Sequence, residues 1–380
     1  MIYFDNSATT QIYSESLKAY TDTATRVFGN PSSLHSLGTQ ANRLLDLARR
    51  QIADLMSVDS GEIFFTSGGT EGDNWVIKGT AFAKQAFGNH LIISAIEHPA
   101  VKKAAESLIP LGFSIDYLPV DNKGIVKSEM LTELIKPETI LVSVMAVNNE
   151  VGSIQPIAEI SAILAQYPKI HFHVDAVQAV GKLDVADFLT ERLDFLTASA
   201  HKFHGPRGVG FIYAKKGRRL KALLDGGAQE LGQRSTTENL PAIVAMAKAL
   251  RISMTRSTRF LEKSQALKAS LSGALAQYPQ VIQLSATQDF VPYILTIALK
   301  GLRGEVLVHA LEERQIFVST TSACSSKKEQ MAATLIAMKV KPEIAQGAIR
   351  ISLGEDNTIA EVEQFMLAFK QVLKRVERIR

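Results

Sequence analysis

The chain has 380 residues, 46% hydrophobic and 21% charged, which excludes a disordered or fibrous protein and suits one large domain plus a smaller one. Its 42 basic and 38 acidic residues leave a formal charge of +4 that is thinly spread, so no direct nucleic-acid binding is expected. The single cysteine, Cys324, excludes an intrachain disulfide and a multi-cysteine zinc or iron–sulfur site, and points to a cytoplasmic protein.

The first residues lack the basic and long apolar stretches of a secretory signal. The most apolar windows, 140–147 and 293–299, are far shorter than the ~20 residues that span a bilayer, so no membrane contact is expected. Residues 1–38 read as loop-rich and belong by pattern to neither domain, with 1–15 a candidate to pack on the smaller one. From 44 to 215, strands over 63–66, 91–95, 114–120, 140–147, 170–174 and 195–198 alternate with helices over 71–87, 101–111, 128–135 and 157–167. This alternation predicts an α/β domain with a mostly parallel sheet and helices on both faces. Past residue 214 a long helix over 240–275 leads to strands over 293–299, 316–319 and 348–353 with helices between and after them. That pattern predicts a smaller α+β domain, dividing the chain into 1–250 and 251–380, the second part carrying Cys324. The C-terminal run of Lys370, Lys374, Arg375, Arg378 and Arg380 reads as a solvated helix face.

Ser67-Gly68-Gly69-Thr70-Glu71 falls where a strand gives way to a helix. Glycines let the backbone approach a ligand, and the free N–H groups of a helix start attract anions, phosphate above all; a plain capping turn is the alternative. The segment matches neither a Walker A loop nor the GxGxxG fingerprint, which weakens nucleotide readings. Asp175, three residues before Gln178, ends a buried strand, where the ligands of doubly wound sheets bind. A carboxylate there needs a cation or several donors, and a positively charged heterocyclic nitrogen suits it as well as a helix N-terminus does. Ser199-Ala200-His201-Lys202 closes another strand. Burial strips a lysine of its proton and the neutral amine condenses with aldehydes, although lone lysines at strand ends are usually solvated. His98, in Glu97-His98-Pro99, is placed to stack on a flat cofactor and shuttle protons, or to serve structure alone. Cys324 stands among serines with Lys327 and Lys328 nearby, surroundings that favour a thiolate over an inert core thiol; an incidental surface cysteine is the other reading. Arg350, inside an apolar strand pattern, needs a carboxylate, the protein's own or a substrate's. No histidine spacing points to a metal, and none is expected.

In chain order, Asp5-Asn6-Ser7-Ala8-Thr9-Thr10, Gly29-Asn30-Pro31-Ser32-Ser33-Leu34-His35, Gly69-Thr70-Glu71, Glu97-His98-Pro99-Ala100, Asn148-Asn149-Glu150-Val151-Gly152, Asp175 with Gln178, Ser199-Ala200-His201-Lys202 and Ser322-Ala323-Cys324 resemble the NifS/IscS-type cysteine desulfurases. These are pyridoxal-phosphate enzymes of the class V aminotransferase group, and the match runs from residue 5 to about 355. The resemblance implies the fold type I transferase architecture, with a seven-stranded-type sheet, a homodimer and pyridoxal 5'-phosphate as cofactor. It implies that Lys202 carries the cofactor and that Asp175 pairs with the ring nitrogen, so that the ring acts as an electron sink. Asn149 and Gln178 would address the phenolic-oxygen side, and His98 would stack on the ring and move protons. Gly69, Thr70, Ser199 and His201 would bind the phosphate, with a threonine of the neighbouring subunit, matched here by Thr237, completing the cradle. Arg350, with Asn149, would hold the substrate carboxylate.

The reaction so implied converts L-cysteine to L-alanine and leaves the sulfur as a persulfide on Cys324 for an acceptor protein, in iron–sulfur assembly or tRNA thiolation. A selenocysteine lyase or another class V activity is the alternative. A non-catalytic scaffold is the remoter one, because it needs none of Lys202, Asp175, His98, Cys324 and Arg350. Three departures stand out: Leu231 replaces a common arginine, Thr236 replaces a common glycine, and the usual proline after Cys324 is missing. The spacing from Cys324 to Leu335 resembles the long-loop branch of the family.

Overall fold

The computed structural model describes residues 1–285, 288–321 and 333–377, with side chains described to residue 374; Cys324 lies outside the described residues. Strand β1 (Ile2–Tyr3) precedes helices α1 (Ser14–Arg26) and α2 (Ser36–Met56). There follow β2 (Ile63–Thr66), α3 (Gly69–Lys84), β3 (His90–Ser94), α4 (Pro99–Glu106), β4 (Ser114–Leu118) and α5 (Leu131–Leu134). Next come β5 (Thr139–Ser143), α6 (Ile157–Leu164), β6 (His171–Asp175), β7 (Phe195–Ser199) and β8 (Gly210–Ala214). The long helix α7 (Leu240–Leu275) leads to β9 (Val281–Gln283), β10 (Ile294–Leu299), α8 (Gly304–Glu312), β11 (Ile316–Phe317) and β12 (Ser319–Thr320). Helices α9 (Ala333–Ala337) and α10 (Pro342–Ala345), strand β13 (Ala348–Ser352) and helix α11 (Ile359–Glu377) complete the described chain.

The main sheet has seven strands in the order β2-β8-β7-β6-β5-β3-β4, and β8 alone among them runs against its neighbours. Alternation of side chains along each strand sends residues to opposite faces. Ile92, Val142, Phe172, Val174 and Leu196 face a core shared with α6 and α7. Leu91, Ile93 and Leu141 face the opposite side, where α3 and α4 supply Ile77, Ala81, Val101 and Ala104. A polar column runs along this second face: Ser143, His173, Asp175 and Thr197, all buried, lie beneath α3. Helix α3 comes this close because Gly72 has no side chain; a Cβ there would stand 2.8 Å from Thr197 Cγ2.

A second sheet, β12-β13-β10-β9, is antiparallel throughout. The stretch expected as one strand over 316–319 is two: β11 pairs with β1, and β12 turns to pair with β13. Residues 128–135, expected as a helix, form a 3-10 turn and the single turn of α5. The N-terminal segment, read as loop, holds the thirteen-residue helix α1, which packs on α7. Its buried residues are Ser16 and Thr23, and Ser16 Oγ donates to the Ala245 carbonyl at 2.8 Å. No described helix is long and apolar enough to cross a membrane.

Candidate active site

Strands β2, β3, β5, β6 and β7 deliver their carboxyl ends to one edge of the sheet, which is where most of the residues singled out in the sequence gather. Lys202 closes a 3-10 turn directly after β7, and its Nζ donates to the carbonyls of Ser7 (2.6 Å) and Ala8 (2.9 Å). Asp175, opposite Thr197 in the β6–β7 ladder, is buried, and one of its oxygens accepts the Val177 N–H at 2.9 Å. Burial pushes its carboxyl above the usual range, while the Val177 N–H and the Lys202 charge oppose that shift.

His98 caps the N-terminus of α4, its Nδ1 accepting the Ala100 N–H at 3.1 Å, which assigns the ring proton of the neutral form to Nε2. Burial first, then the Lys202 charge, pulls its pKa down to about 4. At the start of α3, Gly68 (φ 150°) and Gly69 form a notch against Ser199; a Cβ on Gly69 would stand 2.9 Å from Val177 Cγ2 and 3.5 Å from Ser199 Cβ. Thr70 follows, exposed, in the first turn, where backbone N–H groups have no intrahelical acceptor. His201 Nδ1 lies 3.2 Å from Thr9 Oγ1, and burial holds its pKa near 4. Gln178 is buried, with Nε2 donating to the Ser7 carbonyl at 3.0 Å and Oε1 accepting from Lys182 at 3.1 Å.

On the far side, Arg350 in β13 donates to the Asn149 carbonyl and to Asp5 Oδ1, both at 2.8 Å, while its buried Nε has no hydrogen-bond partner among the described residues. Asn149 thus meets Arg350 through its backbone. The described residues flanking the segment that contains Cys324 reach the same place: Ser319 pairs with Arg350 across the β12–β13 ladder, and Asn148 Nδ2 donates to Thr334 Oγ1 at 3.2 Å. Thr237 stands apart from this group. It lies exposed on the rim of a cleft of about 230 Å³ shared with Ser67 and Arg234, and Arg234 holds Glu71 of α3 through two bonds of 2.7 and 3.0 Å.

Several functional groups escaped the sequence reading. The carbonyls of Ser7 and Ala8 carry no side-chain signal at all. Asp5 meets Arg350 across 345 positions, which no local pattern discloses. Lys182 did leave a trace, a lone cation in the otherwise apolar stretch 179–183. Asp73, the fifth position of α3 after its glycine cap, sits 3.7 Å from His173 Nε2, with burial and the Asp175 and Glu97 charges raising its pKa well above the usual range.

A lysine beyond one strand, an aspartate ending the next and a glycine notch at a helix start gather at one edge of a seven-stranded α/β sheet. The chain belongs to the aminotransferase class-V family, whose model matches residues 2–365. It is 50% identical to the NifS/IcsS protein homolog of Lactobacillus delbrueckii subsp. bulgaricus over all of this chain and 99% of that one. It is 40% identical to the cysteine desulfurase IscS of Clostridium botulinum, covering 98% of this chain and 94% of the relative. A solved NifS-like protein, 37% identical, superposes with a TM-score of 0.92 over 98% of this chain and 99% of its own.

The family's enzymes depend on pyridoxal phosphate, and the residues present fit that group. The Gly68–Gly69 notch is space that a Cβ would fill, at a helix start that favours a phosphate. Asp175 is a buried carboxylate with one backbone donor, which a ring-nitrogen cation would neutralise.

Proposed function

We propose that this protein is a homodimeric, pyridoxal-phosphate-dependent cysteine desulfurase that converts L-cysteine to L-alanine and passes the sulfur from Cys324 to an acceptor protein. The observation that carries the reading is the placement of Lys202, Asp175 and the Gly69–Ser199 notch at one strand-end edge, with Arg350 facing them from the second sheet. When bound, pyridoxal phosphate supplies an aldehyde for an amine to capture and a ring that withdraws the electron pair left at an amino acid's Cα.

Lys202 Nζ would hold the group through its aldehyde. Asp175, steadied by the Val177 N–H, would pair its carboxylate with the ring nitrogen. Gly69, Thr70, Ser199 and His201 would bind the phosphate, and Gln178 and Asn149 would address the ring's oxygen side. His98 would lie beside the ring and move protons at Nε2, since its Nδ1 is committed to Ala100. Arg350 would offer the substrate carboxylate its Nε, which has no partner among the described residues. The Cys324 thiolate attacks the sulfur of cysteine: an S–S bond forms and the C–S bond breaks, its electron pair staying on carbon. Protonation of that carbon, and return to Cα of the proton first removed from it, completes L-alanine.

Thr237, exposed on its cleft rim, is the residue a second copy would contribute to the phosphate. A reducing, cytoplasmic setting suits a lone thiol that must carry sulfur in reversible form. The acceptor belongs to iron–sulfur assembly or to thiolation chemistry. The test is direct: the purified protein given L-cysteine should release alanine and show Cys324 heavier by one sulfur atom in mass spectrometry. Alanine release that persists unchanged in Cys324→Ser under reducing conditions would remove the thiol from the mechanism.

A further inference from the structure

Glu150 carries an enclosed carboxyl on the far side of the site, and the proposed reaction gives it no task. The residue as a whole is partly exposed, yet its Oε2 is buried with no hydrogen-bond partner among the described residues. Two bonds seat the backbone here against the strand pair that carries Arg350. Arg350 donates to the Asn149 carbonyl at 2.8 Å, and Thr296, the ladder partner of Arg350, donates its hydroxyl to the Glu150 carbonyl at 2.6 Å. The carboxyl itself accepts from the hydroxyl and the N–H of Thr334 in α9. Asn148 ties these pieces together: its Oδ1 accepts the Glu150 N–H at 2.9 Å, and its Nδ2 donates to Thr334 Oγ1 at 3.2 Å. The ion pair of Arg350 goes instead to Asp5, at 2.8 Å. Glu150 thus stands near a guanidinium whose charge it feels, while the Nε of that guanidinium has no partner among the described residues.

We propose that Glu150 is a positioning residue whose charge sets how tightly Arg350 holds a substrate carboxylate: as a neutral acid it leaves the guanidinium to the ligand, and as a carboxylate it competes for it. Burial lifts the Glu150 carboxyl to about 7, against the pull of the Thr334 hydroxyl, the Arg350 charge and the Thr334 N–H. Below that value one anion, Asp5, shares Arg350 with the ligand; above it there are two. Coupling of this kind is reciprocal, so a bound carboxylate must in turn make Glu150 harder to ionise. Asp5, Tyr3 and Lys182 also bear on Arg350. Burial holds the Tyr3 phenol above its usual range, so it stays neutral. The Lys182 amine, pulled down to about 7 by burial first and then by the Lys202 and Arg350 charges, loses its own charge over the same range. Proteins that differ only at position 150 share that Lys182 effect, and comparing them removes it.

The inference rests on Arg350 being the carboxylate-binding residue, so the test includes that residue and reads binding, not turnover. Propionate is the probe: it has a carboxylate, no amine to condense with the cofactor, and no group that titrates above about pH 6. Full-length, cofactor-loaded protein is titrated with it by calorimetry at constant ionic strength. Between about pH 6 and about pH 8.5, the Kd of the wild-type protein divided by that of Glu150→Gln should climb from about one to roughly five- to tenfold. Glutamine keeps an acceptor for Thr334 and cannot ionise. Glu150→Met, neutral and without an acceptor, should show the same climb. A ratio that does not rise with pH, in whichever neutral variant folds, would overturn the inference. Arg350→Met should bind propionate far more weakly at every pH. Affinity equal to wild type in that variant would overturn the carboxylate assignment of Arg350, and the inference with it.

Discussion

The two walls of the site treat charge in opposite ways. On the main-sheet wall, Asp175 is buried with one backbone donor, His98 and His201 are held neutral, and Asp73 and Glu97 are carboxyls that burial drives toward the protonated form. On the second-sheet wall, Arg350 is already paired with Asp5 and a carbonyl, leaving one N–H over. The first wall stores an uncompensated charge that a cationic ring would satisfy. The second presents a compensated charge that a substrate carboxylate must share. Preorganised, unshielded charge is the larger catalytic resource, because no solvent or protein rearrangement precedes its use.

The sharpest way to break this contrast is to neutralise the uncompensated group. Asp175→Asn preserves shape and removes the charge, and should lower the rate of alanine formation by roughly 10²–10³-fold with cofactor in excess. A loss under about tenfold would mean that the ring's electron sink draws on something other than this carboxylate. On the opposite wall, Arg350→Lys keeps a charge but loses the planar fork that spans Asn149 and Asp5. The expectation is a KM raised roughly 10- to 100-fold with kcat changed less than about threefold. A kcat that falls with KM unmoved would place Arg350 in the chemistry instead of in substrate capture.

Most of the first wall could be read from sequence, because its residues sit at strand ends and strand ends follow from alternating pattern. The residues at 175, 199 and 202 are legible as soon as β6 and β7 are. Helix α7 was legible to the residue at both ends, since Asn239 caps it and accepts from Ala242 while Pro279 lies just past it. The second wall was not legible. Its architecture depends on residues 2–9 threading between the two sheets, pairing β1 with β11, Asp5 with Arg350, and the Ser7 and Ala8 carbonyls with Lys202. Those contacts are long-range and largely made by backbone, so neither periodicity nor residue type announces them. Helix α1 hid for a related reason: it buries serine and threonine against α7 and shows little apolar stripe.

A smaller effect tests the phosphate notch. Gly69→Ala adds a methyl into the gap between Val177 and Ser199, at a helical position where alanine is otherwise favourable. Cofactor affinity, followed by fluorescence titration, should fall about tenfold, and Val177 must shift to admit the methyl, so affinity is compared at a temperature well below the thermal transition of both cofactor-free proteins. Unchanged affinity would locate the phosphate elsewhere.

The finest test concerns Glu97, which ties the end of β3 to the residues past β5 through Ser94 Oγ (2.6 Å) and the Met145 N–H (2.7 Å). Its other oxygen is buried with no partner among the described residues, and burial foremost lifts its pKa from an ordinary 4.5 to about 8. A folded-state value above the unfolded one means that the contribution to stability is complete below about pH 4.5 and is lost as pH climbs through about 8. His98 next door has the reverse sign: its depressed value gives a contribution present above about 6.5 and lost as pH falls toward 4, so it is silent in the alkaline window. Glu97→Gln keeps an acceptor for Ser94 and Met145 but cannot ionise. Relative to this variant, the wild-type chain should lose about 1 kcal/mol of stability between pH 6.5 and 7.5, read from urea midpoints without cofactor. A constant gap between the two proteins would mean that Glu97 is already ionised at pH 6.5. Asp175 would then share its wall with a second negative charge, and the contrast between the walls would be one of degree.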